Sequence, residues 1–161
     1  MKKLSNLLAA LVFGSLVIFM SCGGGDEPTP PTAEELQAAL LQAGTWTSSS
    51  SSAPTYGGTP EGDWSGFSIT LSGNDDGAGT GSYSTSGTPE GYEDVMPSSG
   101  NWSFVDGSNG TQINRTGGNA GDVVMSATVN ETSLSLTFTV TDPAGRVSGL
   151  YGQPWVFTFG N

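Results

Sequence analysis

At 161 residues the chain has room for one folded domain of ordinary size, and fifteen acidic against four basic residues give it a net charge of −11. A chain this acidic is repelled by nucleic acid and by anionic membrane surfaces, so neither is an expected partner. It has no histidine and a single cysteine. That excludes Ser-His-Asp and Cys-His catalysis, an internal disulfide and the usual zinc ligands.

The N-terminus has the three parts of an export signal. Lys2 and Lys3 form a positive start, and Leu7 to Met20 form an apolar run. The run is shorter than the ~20 apolar residues of a membrane-spanning helix. Phe19-Met20-Ser21-Cys22 resembles the lipobox cut by lipoprotein signal peptidase, with small Ser21 just before Cys22. The expected organisation is a signal peptide over 1–21, a tether over 22–31 and a folded domain over 32–161. Cys22 becomes the lipidated N-terminus, and the N-terminal lipid holds the protein to the membrane. Gly23, Gly24 and Gly25 make the tether flexible, while Pro28, Pro30 and Pro31 extend it. Asp26 and Glu27, close behind Cys22, resemble the surface-export signal of some Gram-negative lipoproteins. The expected location is the outer membrane at the cell surface, with a periplasm-facing lipoprotein as the alternative. Cleavage removes both lysines. It leaves Arg115 and Arg146 against fifteen carboxylates, a net charge of −13.

Thr32-Ala33-Glu34-Glu35 matches a capping box. The helix it starts carries Leu36, Ala39, Leu40 and Ala43 on one face, and Gly44 ends it. From Trp46 onward the apolar period changes to two. Phe67, Ile69 and Leu71 alternate with Ser and Thr, Tyr83 stands between serines, and Trp102 and Phe104 flank Ser103. Ile113 lies in the short run from Thr111 to Arg115. Val123 to Val129, Leu134 to Val140 and Trp155 to Phe159 continue the alternation. Eight short strands follow, each with one apolar face. Gly, Pro, Asn and Asp fill the connections and none reads as a helix, so the strands form an antiparallel meander. One-sided burial suits a closed barrel, or a sandwich as the alternative.

The connections after the first, third and seventh strands are long, about Ser52–Asp63, Gly87–Gly100 and Thr141–Pro154. In an up-and-down meander these odd connections share one end. Tyr56, Tyr92, Tyr151 and Arg146 lie on them, behind a rim of acids that includes Glu61, Glu90, Glu93 and Asp94. Aromatic rings on loops suit a neutral ligand, and Arg146 suits a carboxylate. Gly58-Thr59-Pro60-Glu61-Gly62 recurs as Gly87-Thr88-Pro89-Glu90-Gly91 and reads as two similar turns. Asn74-Asp75-Asp76-Gly77 supplies oxygen ligands but lacks EF-hand spacing, so a turn is expected and no metal. Every acid sits in a linker, helix start or turn. No catalytic pair, and no cofactor, is expected.

A short helix leading into Gly44-Thr45-Trp46 resembles the lipocalin family, whose G-x-W motif opens the first strand. Pro97 to Phe104 and Thr132 to Phe138 look like segments of lipocalin-like bacterial lipoproteins. The resemblance implies an eight-stranded barrel with Gly44 and Trp46 at its base, where an arginine near the last strand stacks on the tryptophan. Arg146 precedes the last strand instead of following it. It also implies a non-catalytic binder of a small apolar or amphipathic ligand at the long-loop end. The other reading is a surface module that contacts glycans or proteins through its loops.

Overall fold

The computed structural model describes residues 30–48, 53–73, 79–142 and 149–161. Cys22, the signal and most of the tether lie outside them, as do Arg146 and the Asn74–Gly77 turn.

Helix α1 spans Ala33–Leu41. The Thr32 side chain accepts from the Glu35 N–H, and the Glu35 carboxylate accepts from the Thr32 N–H, so the expected capping box is complete. Strand β1 (Thr45–Ser48) follows, then two very short strands, β2 (Thr55–Tyr56) and β3 (Thr59–Pro60). Next come β4 (Ser68–Gly73), β5 (Thr80–Ser86), β6 (Ser99–Phe104), β7 (Gln112–Thr116), β8 (Val123–Val129), β9 (Ser133–Thr139) and β10 (Pro154–Gly160).

The order is β1-β4-β5-β6-β7-β8-β9-β10, antiparallel throughout, and β1 also pairs with β10. That pairing closes an eight-stranded lipocalin-like barrel with one short helix and sets the sandwich aside. The expected eight strands are all present. The β2–β3 hairpin is an addition inside the first long connection, attached to β10 through Trp155↔Tyr56. Its two-residue turn is Gly57-Gly58, both at positive φ (57° and 86°), the conformation that lets a tight hairpin follow the strand twist.

Burial follows the period of two. β8 alternates without a break, and β9 and β10 bury Leu134, Leu136, Phe138, Trp155, Phe157 and Phe159. These pair across the sheet, Phe157 opposite Leu136 and Trp155 opposite Phe138. At the short-turn end, Leu41 of α1 is fully buried in the core. The Trp46 indole is buried beside it and donates to the Leu41 carbonyl at 2.9 Å. The helix packs at this end, but through Ala38 and Leu41 and not through the expected face: Leu36 is 52 % exposed, Ala39 and Ala43 are exposed too, and the helix is capped at Gln42, before Gly44.

Gly100 makes room for the ring opposite it, Tyr83. A Cβ on Gly100 would lie 2.1 Å from the Thr116 oxygen and 2.7 Å from the Tyr83 ring. The Tyr83 ring occupies the volume that a side chain there would need.

Candidate functional site: the loop-covered mouth and the buried arginine

The odd connections meet at the other end of the barrel, where they form a cover. Tyr56, Tyr92 and Tyr151 come together there, as the loop lengths predict. Tyr56 packs on Trp155 at 5.1 Å and its hydroxyl donates to the Tyr151 carbonyl. Tyr92 meets Trp155 edge-on at 6.0 Å and donates to Glu61 at 2.9 Å. Tyr151 donates to Asp94 at 2.8 Å. Each hydroxyl is thus used within the cover, and the rings are half-buried. Burial, and then the Glu61 carboxylate, push the Tyr92 phenol up from its ordinary value. Tyr92, the residue after the second copy of the Gly-Thr-Pro-Glu-Gly motif, thus bonds to Glu61 of the first. They are not equivalent turns. The first lies partly in β3, while the second is loop.

Trp64 plugs the mouth. It is 2 % exposed and packs edge-on against Phe67, Tyr92, Trp155 and Phe157 at 4.9 to 6.1 Å. Sequence patterning misses it because it stands alone in a polar loop. Val95 and Met96 are missed for the same reason, yet both are fully buried under the second long connection. The strap over 87–98 is held by its own turns, with the Val95 and Met96 N–H groups both donating to the Tyr92 carbonyl. Thr88 donates to the Met96 carbonyl and Thr85 to the Pro97 carbonyl.

Beneath the strap lies Arg115, only 2 % exposed. Its position follows from parity. Ile113 points inward on β7, so residue 115 does too. Nη1 donates to the Val95 carbonyl at 2.6 Å and reaches Met96 Sδ at 3.9 Å. The guanidinium carbon lies 5.8 Å from the centre of the Phe138 ring. Nε and Nη2 have no hydrogen-bond partner, nor does the nearby Tyr83 hydroxyl. Burial pulls the Arg115 pKa down, opposed by the neighbouring Tyr83 phenol and the Asp94 carboxylate. Burial raises the Tyr83 pKa, so the phenol stays neutral at physiological pH.

Outside the strap lies an open cleft of about 430 Å³, lined by Thr85, Thr88, Glu93, Met96, Ser98 and Asn119 among others. Inside the barrel, a small space of about 10 Å³ lies between Ile69, Leu71, Trp102, Ile113, Met125 and Leu136, room for about one water. Among the described residues, no group of three or more His, Cys, Asp or Glu is placed to hold a metal ion. No protein-family model, curated protein sequence or solved structure matches this chain.

Proposed function

We propose that the protein is a membrane-anchored lipoprotein of lipocalin-like type, lipidated at Cys22, whose barrel binds a ligand without catalysis at its long-loop end. In this reading the ligand docks on the loop face, in the cleft beside the strap, and is a polar molecule such as an oligosaccharide. The supporting observation is the contrast between the two spaces. The cleft offers hydroxyl, amide and carboxylate groups in about 430 Å³, whereas Trp64 and the tyrosines pack across the mouth, and the interior space among the described residues of β4 to β9 is about 10 Å³. A sugar uses hydroxyl and amide partners of this kind, and the acidic rim disfavours an anion. The outer membrane and the cell surface fit a tethered loop face.

The second reading is a small apolar or amphipathic ligand entering under the cover. It is favoured by the aromatic lining, Tyr56, Trp64, Tyr92 and Trp155. Titrations with oligosaccharides, fatty acids and sterols, followed by amide shifts, separate the two. Shifts around Thr88, Ser98 and Asn119 with a sugar support the loop-face reading. A fatty acid or sterol that perturbs the tryptophans supports entry into the barrel. Shifts confined to the short turns around Gly107 and Glu131 overturn both.

A further inference from the structure

The cleft beside the strap has a chemical polarity that narrows the class of sugar it takes, an inference that rests on the loop-face reading above. Two stretches of chain line it: the strap together with the end of β5, and the connection after β7. They approach closely. Gly118 has a φ of 86°, and a Cβ there would stand 2.4 Å from Pro97 Cγ. Glycine is thus what lets the two stretches seat against each other, and packed backbone shapes the cleft between them.

The threonine hydroxyls of the cleft are turned to accept. Each has one proton to give. Thr85 gives it to the Pro97 carbonyl at 2.9 Å and Thr88 to the Met96 carbonyl at 3.0 Å. The 3.4 Å contact between the two hydroxyl oxygens is left with no proton to fill it. What both oxygens keep for a ligand is lone pairs. Glu93 adds an exposed carboxylate, with Oε1 accepting from the Gly91 N–H at 3.2 Å and Oε2 left open. Ser98 and Asn119 contribute a hydroxyl and an amide, which both donate and accept. Among the described residues no cationic side chain lines the cleft. Arg115 lies beneath the strap, only 2 % exposed, with Nη1 turned to the Val95 carbonyl. Acceptors therefore outnumber donors, and the charge at the surface is negative. The matching ligand donates more than it accepts and carries a positive charge. A sugar hydroxyl does both, whereas an ammonium donates three hydrogens and accepts none.

We propose that the cleft selects amine-bearing oligosaccharides, sugars of the glucosamine class, over neutral, N-acylated and acidic ones. The ammonium pairs with Glu93 Oε2, and neighbouring ring hydroxyls donate to Thr85 and Thr88. A uronic acid or a sulfated sugar would bring a second negative charge to the same carboxylate. The chain's net charge of −11 attracts any cation in a general way, so the test separates Glu93 from that field.

Amide shifts of the purified chain are followed at mildly acidic pH and physiological ionic strength, which screens the general field. The probes are the tetramers of glucosamine, N-acetylglucosamine and glucose (cellotetraose). The glucosamine tetramer should shift Thr88, Glu93, Ser98 and Asn119 and bind about fivefold tighter than the other two, the effect of one exposed charge pair. Glu93→Gln, which keeps an oxygen for the Gly91 N–H, should remove the preference. Glu131→Gln, the same charge change at the short-turn end, should leave it intact. Equal affinities of the three sugars for the cleft would overturn the proposal and leave the loop-face reading standing. A preference that survives Glu93→Gln, or that falls equally in Glu131→Gln, would assign it to the general field and overturn the role of Glu93. No cleft shift with any of the three would also overturn the proposal, and the wider oligosaccharide titration above then decides the loop-face reading.

Discussion

Trp64→Ala tests whether the mouth of the barrel is closed. The side chain is almost fully buried and meets four rings edge-on, Phe67, Tyr92, Trp155 and Phe157. Truncating a buried tryptophan costs about 3–5 kcal/mol, because the neighbours collapse only partly into the space left. Each edge-to-face pair contributes about 0.5–1.5 kcal/mol beyond area burial, which places four such contacts toward the upper part of that range. A domain of this size has about 5–15 kcal/mol in all, so the variant should stay folded but lose a large share of its stability. Trp64→Phe keeps a ring in the plug and removes an indole N–H that has no hydrogen-bond partner. It should lose clearly less. Urea melts followed by far-UV circular dichroism measure both variants. A loss below about 1 kcal/mol for Trp64→Ala, the range of an ordinary surface change, would mean that the loop is draped over the mouth instead of plugging it.

Three further outcomes follow from the structure and a fourth from the sequence. Leu136→Ala should cost about 2–5 kcal/mol while Thr137→Ala, on the outer face, changes stability little; equal shifts in denaturant midpoint would contradict the register of β9. Gly100→Ala forces a Cβ toward the Thr116 oxygen and the Tyr83 ring and should destabilise by about 1–3 kcal/mol in the same melts. The Thr32 backbone N–H, and then its hydroxyl, hold the Glu35 carboxyl below its ordinary value. The capping box should therefore stabilise fully above the unfolded pKa of about 4.3 and fade as pH falls through the lower folded value, and Glu35→Gln should remove that part of the acid melting profile. Metabolic labelling with a fatty acid should mark the chain, and Cys22→Ala should abolish the label; a labelled Cys22→Ala protein would refute the anchor.

The strand faces are readable in the sequence because burial on one side of a sheet imposes a period of two, visible as Leu134, Leu136 and Phe138 against Ser135, Thr137 and Thr139. The alternation of loop lengths places Tyr56, Tyr92 and Tyr151 together across nearly a hundred residues. Isolated core residues inside polar loops are harder to read. Trp64 and the Val95-Met96 pair have no periodic neighbours, so nothing local says that their loops fold inward. Arg115 is a different kind of omission. Its parity with Ile113 was in plain view, but charge makes the surface the default expectation, and only the strap carbonyl and the Phe138 ring show why the inward position is tolerated. The β2–β3 hairpin was signalled by Gly57-Gly58 between Tyr56 and Thr59, two strands too short to carry a pattern of their own.

Strand β10 bonds to β9 on one side and to β1 and β2 on the other, and that has a consequence for the order of events in folding. The meander from β4 to β9 can pair neighbour by neighbour as the chain lengthens. The sheet, however, keeps two raw edges until Pro154–Gly160 arrives, and β1 must wait across more than a hundred residues of intervening chain. Pairings this distant in sequence form slowly. Until then the sheet lacks the pairings that close it. In this chain the delay comes from topology, because the barrel closes only where β10, the last of its eight strands in chain order, meets β1.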